Sequence, residues 1–146
     1  MSIGEAEVLQ SSFTGVVRAL GLLRPDTTPC GQAMSITEAH ALGDLHAHGP
    51  ITQQQLADAL RLQKSTISRL VDQLTEGGLV ERTPNPQDRR SHLIGLTPTG
   101  TRRARRLEDA RRELFERLLA DLAHNERRLV VDGVTRLAQA AHALDE

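Results

Sequence analysis

Residues 64–82 read KSTISRLVDQLTEGGLVER, and this stretch decides the fold. Its large apolar side chains follow the i, i+3, i+4, i+7 spacing of an amphipathic helix, at Ile67, Leu70, Val71 and Leu74. Gly77-Gly78 then ends the helix, because glycine enters the left-handed C-cap without steric cost. From Leu79 to Thr83 the apolar period changes from about 3.6 to 2, which indicates a strand. The sequence therefore predicts a helix over 64–76 that leads directly into a strand.

A shorter helix precedes this one. Thr52-Gln53-Gln54-Gln55 forms a capping box, in which the first and last side chains each bond the other residue's backbone N–H. The helix that follows has an apolar inner face, and a turn near Leu62-Gln63 joins it to the helix over 64–76. Two helices joined in this way predict a helix-turn-helix, whose second helix lies in the DNA major groove.

A hairpin follows on the C-terminal side. A second alternating stretch, His92–Leu96, predicts a strand that pairs with Leu79–Thr83. The connection begins with turn residues and carries basic residues at its tip, so the two strands form a wing with a long basic loop. Thr97-Pro98 then starts another helix, with threonine as N-cap and proline in the first helical position.

Helices are also predicted on both sides of this centre. Helical spacing predicts a helix over 3–23, and a capping box at Ser35–Glu38 opens another helix that ends near His48. On the C-terminal side, helices are predicted over 98–123 and 126–145. The fold class is therefore mainly α: a winged helix-turn-helix with a two-stranded β-hairpin wing and N-terminal and C-terminal dimerisation helices.

The dimerisation role follows from apolar surface that the helix-turn-helix lobe cannot cover. The last helix, after a break at His124-Asn125, carries an apolar stripe with heptad-like steps, at Val130, Val134, Leu137, Ala141 and Leu144. Exposed apolar patches of this kind mark interfaces. A closed twofold homodimer would present two recognition helices to a pseudo-palindromic DNA site.

Polar residues on the outer faces of these elements form a candidate DNA-binding surface. Short hydroxyls and basic residues on the helix over 64–76 can approach base edges and phosphates, and glutamines at a helix start can donate to a phosphate. An arginine in the wing can enter a narrow minor groove. Asp88 carries a negative charge beside this arginine. It is compatible with DNA binding only if it orients an arginine through a bidentate pair. The candidate residues are Gln53, Gln54, Lys64, Ser65, Thr66, Ser68, Arg69, Asp88, Arg89 and Arg90.

Length, composition and charge agree with this prediction. A chain of 146 residues predicts one domain, and 38% hydrophobic and 25% charged residues are typical of a globular protein. Ten basic and five acidic residues lie between Gly49 and Arg106, although the net charge of the whole chain is -1. That asymmetry favours a surface that meets a polyanion. The absence of Trp and Tyr disfavours single-strand binding, which stacks bases on aromatic rings.

Several stretches of the chain together carry a family resemblance. They are residues 55–57 (QLA), 65–74 (STISRLVDQL), 77–82 (GGLVER), 85–90 (NPQDRR) and 94–100 (IGLTPTG). This combination resembles the MarR family of bacterial regulators, and an Asp-x-Arg wing followed by Leu-Thr-x-x-Gly is a specific signature of it. The resemblance is strongest over residues 52–100.

The resemblance implies an α-helical winged-helix homodimer that binds a pseudo-palindromic operator in double-stranded DNA. Arg90 matches the wing arginine that enters the minor groove, and Asp88 matches the acid that supports it. Residues 1–146 would form one MarR-like domain, with a DNA-binding lobe over 35–97 and a helical dimerisation region over 1–24 and 98–146. Members are usually repressors that a small-molecule effector, or cysteine oxidation, releases from DNA.

Cys30 and nearby histidines leave a thiol-responsive or metal-responsive regulator as an alternative. Cys30 is a candidate redox residue, although oxidant-sensing members place their cysteine in the first helix beside tyrosines, which this chain lacks. A metal site would use Cys30 with Glu38, His40, His46 and His48, without any metal-binding motif within a helix. The two last histidines also fit a simpler role at a helix C-terminus.

Two other function classes remain: a winged-helix protein-interaction module and an enzyme. A protein-interaction module would lack the steep salt dependence of duplex binding. The sequence contains no serine-hydrolase, zinc-protease or phosphate-loop motif, so we expect no enzyme activity, no cofactor and no metal site. It has no signal peptide and no apolar stretch of membrane length, so a cytoplasmic protein with no membrane partner is expected.

Overall fold

The computed structural model describes residues 4–144. In chain order its elements are α1 (Glu5–Ala19), α2 (Ile36–His48), β1 (Ile51–Thr52), α3 (Gln53–Leu60), α4 (Lys64–Glu76), β2 (Val80–Pro84), β3 (His92–Leu96), α5 (Pro98–Ala120) and α6 (His124–Ala143). The mainly α winged helix-turn-helix that the sequence predicts is confirmed. The chain divides into two compact units, the first ending at Arg111 and the second beginning at Arg112.

The helix caps that the sequence predicts hold α2, α3 and α4 in place. Thr52 Oγ1 accepts a hydrogen bond from the Gln55 N–H at 3.1 Å, and Gln55 Oε1 accepts one from the Thr52 N–H at 2.9 Å. At the start of α2, Ser35 Oγ accepts from the Glu38 N–H at 3.1 Å. α4 ends where Gly78 adopts a left-handed φ of 72°. The bounds of α4 are therefore those predicted.

The sheet has three antiparallel strands in the order β1-β3-β2. The predicted hairpin forms, with Val80 opposite Leu96. β1 was not predicted, and it pairs Ile51 with Ile94 on the other edge of β3. The wing therefore belongs to a three-stranded sheet and not to a two-stranded ribbon, and β1 places the start of α3 directly beside β3.

The hydrophobic core lies where α2, α3, α4, the sheet and the first half of α5 meet. Its largest fully buried side chains are Leu42, Leu45, Leu56, Ile67, Val71, Val80, Ile94 and Leu107. Full burial of such a side chain stabilises the fold by about 1.5–3 kcal/mol. Because Ile67 and Val71 anchor the inner face of α4, its polar face is held toward solvent.

The start of α5 is fixed to the turn that follows α4. The Thr97 hydroxyl donates to the Gly78 carbonyl at 2.6 Å and accepts from the Gly100 N–H at 3.0 Å. Thr97 therefore caps α5, as the sequence predicts. A Cβ atom at Gly100 would lie 1.9 Å from the Leu79 carbonyl oxygen. Only glycine allows this close approach of α5 to the turn that follows α4.

Helix boundaries differ from the prediction at two places. α1 ends at Ala19 and not near Leu23, because Gly21 adopts a left-handed φ of 71° and the Leu22 N–H bonds back to the Val17 carbonyl at 3.0 Å. The predicted start of this helix, residue 3, lies outside the described residues.

The second difference lies between α5 and α6. His124 and Asn125 were predicted to break the helix, but they form the first turn of α6, and α5 ends earlier, at Ala120. The N-cap of α6 is Ala123, whose N–H donates to Glu126 Oε2 at 3.0 Å. The predicted end of the last helix, residue 145, and the chain ends of the predicted domain lie outside the described residues.

Two helices bury none of their own residues, one in each unit. Large apolar side chains are about half exposed on α1, at Val8, Leu9, Phe13 and Val16. On α6 the exposed ones include Leu129, Val130, Val131 and Val134, while Leu137 is half-buried. Over residues 4–144, no helix has the length and hydropathy needed to cross a membrane.

Candidate nucleic-acid interface

The polar face of α4 is the centre of the candidate interface. Lys64, Ser65, Thr66 and Arg69 are exposed and Ser68 is half-buried, all within the first two turns of α4. Backbone N–H groups without helical partners concentrate at this end of a helix, where they favour an anion such as a phosphate. Hydroxyls and two cations therefore lie together in the first two turns of α4, the end of the helix that favours an anion.

A groove connects the start of α4 with the start of α3. It is lined by Gln53, Gln63, Lys64, Ser65 and Ser68. Gln63 is the N-cap of α4, but its side chain does not cap the helix. The groove places the first glutamine of α3 beside the hydroxyls of α4.

A second groove lies between the start of α3 and the wing. Its lining residues are Thr52, Gln53, Gln54, Arg82, Asn85, Asp88, Arg90, Ser91, His92 and Ile94. Gln53 lines both grooves and so joins the α4 surface to the wing. Together the two grooves contain seven of the ten predicted residues. The other three, Thr66, Arg69 and Arg89, are exposed but line neither groove.

Side-chain hydrogen bonds order the tip of the wing. Asp88 Oδ1 accepts from the backbone N–H of Arg90 at 2.9 Å, and Asn85 Nδ2 donates to Ser91 Oγ at 2.9 Å. Asp88 therefore supports Arg90 through its backbone, which differs from the bidentate side-chain pair that the sequence suggested. Arg90 itself is exposed and lines the groove between the start of α3 and the wing.

The glutamines at the start of α3 have different roles. Gln55 completes the capping box described above. Gln54 Nε2 donates to Asp58 Oδ1 one turn later, at 2.8 Å. Gln53 lines both grooves and is the best placed of the three to meet a ligand that crosses from α4 to the wing.

Residues that the sequence reasoning missed also line the wing groove, above all Arg82 and His92. Arg82 lies on β2, and its Nη2 atom is 2.6 Å from Asp72 Oδ1 on α4. The sequence shows an outward-facing acid on α4 and a basic residue on the next strand. It does not show that these two side chains meet.

Cys30 lies in the loop between α1 and α2 and packs against the edge of the core. It is half-buried, and its Sγ atom is hydrogen-bonded to Oγ1 of the buried Thr28 at 3.1 Å. The Thr28 hydroxyl also accepts from the Gln32 N–H at 2.9 Å. The thiol is thus part of a hydrogen-bond network within this loop.

The histidines of the metal-site alternative do not converge. His40 and His48 are exposed, and His46 Nε2 lies 3.6 Å from Glu108 Oε2 on α5, an ion pair when His46 is protonated. In the part of the chain that the structure describes, no three His, Cys, Asp or Glu side chains are arranged to hold a metal ion.

Comparison with known proteins agrees with this geometry. The model of the MarR family matches residues 34–92. The transcriptional regulator YdgJ of Bacillus subtilis is 27% identical over 133 residues, which are 91% of this chain and 78% of YdgJ. The transcriptional repressor MdtR of the same organism is 26% identical over 82% of this chain and 78% of MdtR.

A solved structure extends the similarity to nearly the whole chain. The PcaV transcriptional regulator of Streptomyces coelicolor, in complex with its natural ligand, is 25% identical with a TM-score of 0.68. The superposition covers 97% of this chain and 99% of PcaV. The MarR-family match thus covers residues 34–92, and the relatives that extend over most of the chain are named transcriptional regulators or repressors.

Proposed function

We propose that this protein is a sequence-specific transcriptional repressor that binds a pseudo-palindromic operator in double-stranded DNA. The observation that carries this proposal is the continuous polar surface from the start of α4, through Gln53, to Arg90 in the wing. In it, α4 is the element that enters the major groove, and its short hydroxyls leave room for close approach to base edges.

In this proposal the wing and α3 contact DNA beside the major groove. Arg90 enters the adjacent minor groove, whose negative potential attracts arginine where the groove is narrow. Gln53 and the N-terminus of α3 contact the phosphates between the two grooves. The basic excess over residues 49–106 supports this role, because phosphate neutralisation supplies most of the affinity of non-specific DNA binding.

Two copies of the chain form the proposed DNA-binding unit. Residues 35–97 act as the DNA-binding lobe, and residues 1–24 and 98–146 as the dimerisation region. The exposed apolar side chains of α1 and α6 support this division, because such faces are covered in a stable assembly. A homodimer also matches the twofold symmetry of a pseudo-palindromic site.

A small-molecule effector completes the proposed mechanism. PcaV was solved with its natural ligand, and MdtR is named a repressor, so relatives support an effector-released repressor. An effector lowers DNA affinity only to the extent that it binds the two states of the dimer differently, typically by about 1–3 kcal/mol. Such a regulator would act in the cytoplasm.

The direct test is selection of bound duplexes from a random pool of double-stranded DNA. We expect recovery of one pseudo-palindromic sequence, and a duplex carrying it should bind with an affinity that falls steeply as salt rises. A scrambled duplex of the same composition is the control. If no sequence is enriched and DNA binding is weak and independent of salt concentration, the protein-interaction module is favoured instead.

A further inference from the structure

One ion pair joins the recognition helix to the wing sheet. Arg82 on β2 and Asp72 on α4 meet through Nη2 and Oδ1 at 2.6 Å. The Arg82 side chain is 34% exposed and that of Asp72 is 60% exposed. Because exposed pairs contribute little to folding stability, stability alone is a weak reason for an acid at this place.

The position of Asp72 conflicts with simple electrostatics. Asp72 follows Ser68 by four residues and Arg69 by three, so it lies on the same face of α4 as those candidate DNA contacts. A carboxylate on this face repels phosphates. If its charge acted alone, Asp72 would weaken DNA binding.

The position of Arg82 resolves the conflict. Arg82 lines the same groove as Gln53 and Arg90, between the start of α3 and the wing. The guanidinium has five N–H donors in a rigid fork, and the contact with Asp72 is made through Nη2. A contact through one nitrogen orients the Arg82 guanidinium. The other N–H donors of the guanidinium remain available to bind an anion in the groove.

We propose, building on the proposed function, that Arg82 is a further phosphate contact at the junction of α4 and the wing, and that Asp72 is its positioning residue. Asp72 holds the guanidinium in the groove before DNA arrives, so less side-chain freedom is lost on binding. The acid thereby raises DNA affinity although it carries the same sign of charge as DNA.

The sign of the effect at Asp72 makes the proposal testable. The probe is the duplex recovered by selection from the random pool, with affinity measured over a range of salt concentrations. Arg82→Gln should lower the magnitude of the slope of log affinity against log salt by about 0.9, the value for one lost phosphate contact. Asp72→Ala should weaken binding by about two- to fivefold, the range expected for loss of one exposed ion pair.

Glu76→Ala is the matched control, because Glu76 is an exposed acid in the last turn of the same helix. It removes the same charge and should leave binding unchanged or slightly tighter. Asp72→Asn keeps an oxygen that can accept from Nη2 and should recover part of the affinity lost in Asp72→Ala. The double variant Asp72→Ala/Arg82→Gln should bind as weakly as Arg82→Gln, since Asp72 acts through Arg82.

The outcomes separate this inference from the proposed function. If wild-type protein binds the duplex and Asp72→Ala binds equally well or more tightly, the positioning role is wrong and the proposed function stands. If Arg82→Gln keeps the full salt slope, Arg82 is not a phosphate contact. If wild-type protein binds no duplex, the proposed function itself fails. Circular dichroism of each variant confirms that the comparison is made on folded protein.

Discussion

At the wing tip, the conformation of one arginine is set by a neighbouring carboxylate. The bond from the Arg90 N–H to Asp88, with the bond between Asn85 and Ser91, orders the loop through contacts among its own residues. A loop that is already ordered loses less conformational freedom on binding. The acid beside the arginines is therefore compatible with a DNA-binding wing.

Arg90→Ala tests this residue directly. We expect DNA affinity to fall by about 1–3 kcal/mol, the scale of one good groove contact, with little change in thermal stability. Arg89→Ala is the matched control, because Arg89 is exposed in the same loop but does not line the groove. If the two effects are reversed in an equilibrium binding assay, Arg89 is the minor-groove residue.

Gly100→Ala tests the close contact between α5 and the turn after α4. The new Cβ would lie 1.9 Å from the Leu79 carbonyl oxygen, so backbone must move. We expect a loss of at least about 2 kcal/mol in the free energy of unfolding, measured by chemical denaturation.

Gly43→Ala is the control for this change. Gly43 lies within α2, and a Cβ there would meet one Arg111 nitrogen at 3.8 Å, an ordinary contact. Replacing glycine with alanine in a helix interior should leave stability unchanged or raise it by up to about 1 kcal/mol. Equal effects of the two substitutions would show that Leu79 does not restrict position 100.

Cys30→Ser tests the thiol-responsive alternative. Cys30 is half-buried and hydrogen-bonded to Thr28, and the chain has no second cysteine with which to form an intrachain disulfide. We expect hydroperoxide to leave DNA affinity nearly unchanged in both wild type and Cys30→Ser. Release of the wild type alone from DNA by peroxide would identify Cys30 as a sensor.

At the scale of elements, local signals decide which parts of the fold are predictable. α4 has a complete apolar repeat and a glycine stop, and α3 has a reciprocal capping box, so both were predicted from sequence. β1 has two residues and cannot show an alternating pattern, so it was missed. The start of α6 was misplaced because Ala123 lacks the capping side chain that usually marks a helix start.

The candidate site shows the same division. Its candidate residues on α3 and α4 could be chosen from sequence because they lie on the polar side of a patterned helix. Those of the wing could be chosen because they lie in the loop between two patterned strands. The pairing of Asp72 with Arg82 could not, since it depends on the distance between α4 and β2, which the packing of Ile67, Val71 and Val80 determines.

The outer face of α4 as a whole gives an element-scale prediction. We expect alanine substitutions on this face to change DNA binding in one of two ways. The five candidate positions are Lys64, Ser65, Thr66, Ser68 and Arg69. A phosphate contact such as Lys64 should weaken binding to all sequences alike, whereas a base contact should relax the preference at one base pair. Repeated duplex selection with Arg69→Ala assigns Arg69 to one of these groups.

Gln73→Ala is the control on the same helix, because Gln73 is exposed but lies beyond the first two turns of α4. It should leave both affinity and base preference unchanged. If all five candidate variants behave like Gln73→Ala, α4 is not the recognition helix.

At the scale of the whole molecule, the distribution of apolar surface supports the proposed homodimer. The first unit has its own core, yet α1 contributes no buried residue to it, and α6 in the second unit also buries none. Exposed apolar faces of this kind mark interaction sites. A second copy of the chain is the partner that would also supply a second recognition helix for a twofold DNA site.

Leu137→Asp tests this assembly. Leu137 lies at the centre of the apolar stripe of α6, where a new carboxylate would be buried without a partner in the proposed dimer, at a cost of several kcal/mol. Gln139→Asp introduces the same charge at an exposed position of α6 outside the stripe and should have little effect. We expect light scattering to give a dimer at micromolar concentration for the wild type and Gln139→Asp, and a shift toward monomer for Leu137→Asp. A wild type that remains a stable monomer under these conditions would contradict the dimer, because two linked recognition helices are what a pseudo-palindromic operator requires.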